Sequence, residues 1–351
     1  MKKSKYFQPG VALAGLRRDT GGMKLVLIFM LGALAVSGAD AKADFARLAK
    51  AIEVKELNTL MFAKSSDVNL AKVEAFLKEH PKAAEREQAL YLRAYMKWSL
   101  HRYANAAPAY AALVKEFPKT RFLRIALIRE AAAHLFSGRA DLALPRLEAI
   151  ERDYFDRPEM FAREMAYALS LAGKQKEALA FMDRVEFQMK LAGKGRLLPR
   201  ITSHFDKIRM VGKPLKNFKV KDHRTGREIS PDTFKGKVVL IDFWATWCGP
   251  CVADLPLVKA THQKFSKAGF EVFAVSLDDD EAKFEKAIDA RKMDYFHHFD
   301  GKKWKNELAV KFDVHSIPAS LLVDRKGIVR AVNVRGNALM RVAGALMREP
   351  R

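Results

Sequence analysis

Two hydrophobic rhythms divide the chain. Through residues 42–210, apolar side chains recur at helical spacing among Ala, Leu, Lys, Arg and Glu, with no strand-like stretch. Residues 45–65 and 67–80 read as a leading helical pair. Three later segments repeat a pattern: Leu100-His101 leads to Ala106 and Tyr110, Phe136-Ser137-Gly138 to Ala143 and Leu147, and Leu171-Ala172-Gly173 to Ala178 and Met182. The anchors His101, Gly138 and Gly173 stand about 35 residues apart, a period typical of stacked helical hairpins. A small residue permits the tight turn, and alanine lets two helices approach closely. Tyr91, Tyr95, Trp98, Tyr103 and Tyr110 recur at nearly helical spacing and read as core. At Val211-Gly212-Lys213-Pro214 the helical pattern breaks. Short strands are predicted at 215–220 and 227–229, followed by a buried strand containing Val238-Val239-Leu240-Ile241. A helix then starts at the first cysteine and ends at Gly269, and a strand follows at 270–277. Strand, helix, strand implies a right-handed parallel crossover. Asp278-Asp279-Asp280 reads as the cap of a helix over 281–292. A short helix at 307–312, a hairpin of 320–324 and 328–334, and a last helix over 337–347 complete the pattern.

The only two cysteines, Cys248 and Cys251, close the run Asp242-Phe243-Trp244-Ala245-Thr246-Trp247-Cys248-Gly249-Pro250-Cys251. No other cysteine can bridge to either, so a reversible bridge between these neighbours is the natural reading. At a helix N-terminus, free backbone N–H groups and the helix dipole favour a thiolate at Cys248. Cys251, one turn in, is expected to be more buried and to act as the resolving thiol. Pro250 suits a first helical turn, where its missing N–H is no loss. Asp242 interrupts an apolar strand. A carboxylate there is expected to titrate late and to take the Cys251 proton as a mixed disulfide resolves.

Trp247-Cys248-Gly249-Pro250-Cys251, with an acid six residues before the first cysteine, resembles the thioredoxin active site. Ser316-Ile317-Pro318-Ala319, ahead of a strand, resembles that fold's cis-proline turn. The resemblance implies a cis Ile317–Pro318 bond facing the disulfide and hydrogen-bonding a substrate's backbone. It implies a catalytic set of Cys248, Cys251, Asp242 and Pro318, with Trp247, Gly249, Pro250 and Ile317 against the substrate. The whole segment from Val211 onward resembles the TlpA-like (ResA-like) extracytoplasmic disulfide reductases. Val275-Ser276-Leu277-Asp278, Asp300-Gly301-Lys302 with Trp304, and Asp324 with Gly327 add to the likeness. Two positions depart from that family: Asp254 stands where a glutamate is frequent, and Ala319 where a threonine is frequent. The implied chemistry is thiol–disulfide exchange without a cofactor or metal. Gly249-Pro250 between the cysteines resembles reducing thioredoxins. The implied partners are protein disulfides and a membrane thiol-relay electron donor. The expected architecture is an all-α tetratricopeptide-like array over 42–210 and an α/β thioredoxin fold over 211–351.

Charge and the N-terminus bear on location and partners. The formal net charge is +22, from 63 Lys+Arg against 41 Asp+Glu. No nucleic-acid motif accompanies it, so it reads as a basic solvated surface. Residues 1–41 read as an extension and signal peptide: Met23-Lys24, an apolar run over 25–36, and Ala39-Asp40-Ala41 as a small-x-small cleavage site. An uncleaved membrane anchor is the rival. Either places the body in the periplasm or cell envelope, an oxidising setting. A helical array of this kind usually presents a groove to a protein partner. A redox-capable scaffold is therefore the alternative of a different class. A thiol peroxidase is disfavoured because Ala245 stands where its threonine would be expected. A copper(I) carrier would draw on Cys248, Cys251 and His315. His297-His298 reads as exposed rather than ligating.

Overall fold

A computed structural model describes residues 39–51, 62–154 and 157–350. The leader reading, on residues 1–41, lies outside them up to residue 38, while its expected cleavage motif Ala39-Asp40-Ala41 is helical; residues 52–61 of the first expected helix also lie outside. Among the described residues before 210 there are nine α-helices and no strand: α1 (Ala39–Ala51), α2 (Phe62–Glu79), α3 (Arg86–Ser99), α4 (Tyr103–Glu116), α5 (Leu123–Phe136), α6 (Ala140–Asp153), α7 (Ala162–Leu171), α8 (Gln175–Leu191) and α9 (Leu198–Ile208). The second helix begins at Phe62 rather than near Asp67.

The repeat anchors are turn residues. His101, Gly138 and Gly173 have φ of 57°, 75° and 77°. After each, the next amide donates back across the turn: Arg102 to Lys97, Arg139 to His134 and Lys174 to Leu169, at 2.8–2.9 Å. These bonds satisfy carbonyls that a helix end leaves open. A fourth turn of this kind, at Gly193, was not among the anchors. Ala106, Ala143 and Ala178 are buried where the paired helices meet.

The second part carries a short antiparallel pair, β1 (Val220–Lys221) and β2 (Glu228–Ile229), and a five-stranded sheet. Its strands are β3 (Val238–Trp244), β4 (Phe270–Ser276), β5 (Phe296–His298), β6 (Ala319–Val323) and β7 (Val329–Val332), in spatial order β5-β4-β3-β6-β7. β3, β4 and β5 run parallel, while β6 and β7 pair antiparallel. β3 is central and buried on both faces, which is why it reads as an unbroken apolar run. The helices are α10 (Gly249–Phe265), α11 (Glu281–Ala290), α12 (Glu307–Lys311) and α13 (Gly336–Arg348). This is the mixed α/β sheet expected of a thioredoxin-like domain. None of the described helices is long and apolar enough to cross a membrane.

His297 and His298 are buried, contrary to the reading of them as exposed. The β1–β2 hairpin covers the β5 edge: His223 N donates to the His297 carbonyl, and Asp222 accepts from His297 N. Burial holds the His297 imidazole down at about 4.

The two parts share one apolar core, running from Ile128 in α5 to Leu346 in α13. Gly212 N donates to Val329 O and Leu215 N to Gly327 O, so the connecting segment lies along β7. A side chain at Gly138 would meet Arg341 Cδ at 2.8 Å and Ala338 Cα at 3.0 Å. The α5–α6 turn therefore sits directly on α13.

Candidate active site

β3 delivers its chain to the start of α10 through Ala245-Thr246-Trp247. Cys248 caps α10 with an extended backbone, and its Sγ accepts from Cys251 N at 3.2 Å. Cys248 and Cys251 form a disulfide with Cα atoms 5.2 Å apart. Both are buried, at 5% and 3% exposure, which is the expected order by a narrow margin. Position separates them further: Cys248 stands ahead of the helix, where amide donors are free, and Cys251 lies inside it. Gly249 and Pro250 fill the first turn.

Asp278 holds the approach to Cys248. It is buried, and its carboxylate accepts from Thr246 N at 3.1 Å, Thr246 Oγ1 at 2.7 Å and Ser276 Oγ at 2.8 Å. The cap of α11 is Asp280, which accepts from Lys283 N at 3.0 Å. The expectation of a three-aspartate cap is corrected to that extent. The physical reason is register: Trp244 pairs with Ser276 across parallel strands, so the residues beyond both strand ends meet at one edge.

The Ile317–Pro318 bond is cis. Phe243 pairs with Ala319, which puts this turn at the end of β3 where the cysteine loop begins. The Arg335 guanidinium donates to the Pro318 carbonyl. Trp247 and Trp304, 41% and 44% exposed, stand with ring centroids 5.9 Å apart beside the cysteines. His315 turns to Asp313 at 2.6 Å and does not join the sulfurs.

Behind the disulfide lies a small cavity of about 10 Å³, room for about one water. Asp242, Cys251, Asp254, Pro318, Ser320 and Arg335 are among its lining residues. Burial pushes the Asp242 carboxyl up to about 7; the charge of Asp254 adds to this and Arg335 opposes it. Asp254 is buried on α10, and its Oδ2 has no hydrogen-bond partner. Its Oδ1 lies 3.3 Å from His101 Nδ1, which reaches in from the α3–α4 turn. Arg335, Asp278 and His101 were not singled out for this site by sequence. Only the Asp278 placement carried a readable signal, through strand pairing.

A family model described as Redoxin matches residues 210–344. The thiol-disulfide oxidoreductase ResA of Bacillus anthracis is 30% identical over 126 residues, covering 35% of this chain and 70% of that protein. ResA of Bacillus thuringiensis subsp. konkukian (strain 97-27) is 29% identical over 119 residues, covering 34% of this chain and 66% of that protein. The chain thus spans about two thirds of the length of these relatives. Among solved structures, the thioredoxin domain of a thiol-disulfide oxidoreductase from Bacteroides vulgatus is 28% identical. It covers 39% of this chain and 98% of its own, with a TM-score of 0.37.

Proposed function

We propose that this chain, which belongs to the ResA-like family of thiol-disulfide oxidoreductases, reduces protein disulfides outside the cytoplasm through Cys248 and Cys251. The observation that carries the reading is the disulfide at the start of α10 with a late-titrating carboxyl behind it. In the reduced enzyme, Cys248 thiolate attacks one sulfur of a substrate disulfide, and the other sulfur leaves as a thiolate. A mixed disulfide remains on Cys248. Cys251 then gives its proton to Asp242 across the cavity, and its thiolate attacks Cys248 Sγ. The second substrate sulfur departs as a thiolate, and the pair is oxidised as the substrate is reduced.

The cis Ile317–Pro318 turn, Trp247, Gly249 and Pro250 line the approach of a substrate backbone, and the exposed Trp247–Trp304 pair offers it apolar contact. Return to the dithiol requires an external reductant, for which a membrane thiol-relay protein is the proposed donor. The helical array is read as tetratricopeptide-like and as the docking side for a protein partner. Export by a signal peptide belongs to the same reading.

The direction of electron flow is the testable core. Equilibration of the Cys248–Cys251 pair with glutathione or dithiothreitol is expected to give a potential near about −270 mV, as for thioredoxin. A value near about −120 mV would make the chain an oxidant and reverse the proposed direction. Cys251→Ser, lacking the resolving thiol, is expected to accumulate mixed disulfides in cells. A variant that captures no covalent partner would count against the assigned roles.

A further inference from the structure

His101 belongs to the helical array, yet its imidazole ends in the redox site. It occupies the left-handed turn position that glycine fills in the three equivalent turns at Gly138, Gly173 and Gly193. A side chain there is disfavoured, because its Cβ crowds the following carbonyl oxygen. What it gains is a contact 153 residues away in sequence: Nδ1 lies 3.3 Å from Asp254 Oδ1 and 3.2 Å from the Tyr103 hydroxyl. Burial pushes the Tyr103 phenol up, with Asp254 adding to it, so Tyr103 stays a neutral hydroxyl.

The contact suits a proton in transit. With Asp254 ionised, Nδ1–H donates to Oδ1; with Asp254 protonated, the carboxyl donates to Nδ1. The other carboxylate oxygen, Oδ2, is buried without a partner, and Asp254 lines the same cavity as Asp242 and Cys251. The His101 side chain is 17% exposed, which leaves the ring a way to solvent. The ionisable groups facing Asp254 are Asp242 from β3, Cys251 one turn back, Arg335 ahead of α13, and His101 with Tyr103 from the array. Arg129 of α5 acts on Tyr103 from farther off.

We propose that the helical array supplies the proton outlet of the redox site: the Cys251 proton passes through Asp242 and the cavity to Asp254, and leaves to solvent by His101. The inference rests on the disulfide-exchange reading above. In resolution, Cys251–SH loses its proton to Asp242 and its electron pair forms the bond to Cys248. The proton moves from Asp242 to Asp254; His101, having exchanged its ring proton through water to the Nε2–H tautomer, accepts it at Nδ1 and releases the Nε2 proton to water. No oxidant or reductant beyond substrate and dithiol is required. His101 touches neither sulfur and acts through Asp254, so it is a positioning and relay residue.

The test is stopped-flow release of 2-nitro-5-thiobenzoate when the reduced full chain meets 5,5′-dithiobis(2-nitrobenzoate). The first equivalent reports attack by Cys248 and the second reports resolution by Cys251. His101→Gly restores the residue type of the equivalent turns and keeps the backbone conformation. It is expected to leave the first phase unchanged and to slow the second about tenfold at neutral pH. In an Asp254→Asn background the His101 change should have no further effect. A second phase equal to wild type in rate overturns the relay alone, as does equal slowing in the Asp254→Asn background. A wild-type chain that releases no second equivalent overturns the exchange reading and the relay with it.

Discussion

Asp242→Asn separates the energetic consequence of the buried carboxyl from its chemistry. In the folded chain Asp242 titrates near 7, against an ordinary 3.8, chiefly because burial disfavours its anion. The unfolded chain releases this proton about three pH units earlier than the folded chain does. Between those values folding takes up a proton, so stability falls as pH rises from about 4 to about 7 and is level above. At about 1.4 kcal/mol per unit, the full effect is about 4 kcal/mol, of which about 2.5 kcal/mol accrues between pH 5 and pH 8. Asparagine carries no charge at any pH. The Asp242→Asn protein is therefore expected to gain on wild type by that amount between pH 5 and pH 8. The assay is urea unfolding of the oxidised protein, followed by tryptophan fluorescence at both pH values. Parallel pH dependence of the two proteins would refute the reasoning, because the carboxyl would then titrate alike in folded and unfolded chains. In the proposed reaction the same substitution removes the proton acceptor for Cys251, so a more stable protein is expected to resolve mixed disulfides more slowly.

Asp278→Ala removes the carboxylate that holds Thr246 and Ser276. The loss of these buried bonds is expected to lower stability by about 2–3 kcal/mol and to slow insulin reduction, read by denaturant titration and turbidity. An unchanged midpoint with unchanged turnover would show that the loop holds itself. Gly138→Ala and Gly173→Ala share the left-handed backbone penalty, but only the first meets neighbours, Arg341 Cδ at 2.8 Å and Ala338 Cα at 3.0 Å. Gly138→Ala is expected to cost at least about 1 kcal/mol more. Equal losses would mean that α13 gives way without cost.

The parts of the site that lie close in sequence were legible. An apolar run broken by one acid located β3 and Asp242, the cysteine spacing located the start of α10, and Gly327 located the hairpin. The turn anchors of the array were legible too, because a left-handed residue after a helix leaves a local signature. What failed needed knowledge of neighbours. Asp278 and Asp280 are two residues apart, yet one faces the β3 end and the other caps α11. His297 and His298 look like a polar pair until the β1–β2 hairpin is placed over β5. Arg335 reaches the cis-proline carbonyl only because β7 returns beside β6.

His101 is the extreme case, and it changes what the array is. Local pattern marks it as a turn residue, and nothing local distinguishes it from the glycines in the equivalent turns. Its partner, Asp254, looks local as well: an acid one turn beyond the second cysteine. Each is explained only by the other. An array serving merely as a spacer would have no need to place an imidazole on a buried carboxylate, nor to share a core with the sheet. An array that served only for docking would be free to move relative to the redox unit. Here Gly138 lies against α13, Asn333 donates to the Tyr167 hydroxyl, and the connecting segment lies along β7. These contacts hold the array against the cavity side of the cysteine pair, while Trp247 and Trp304 stand exposed to solvent.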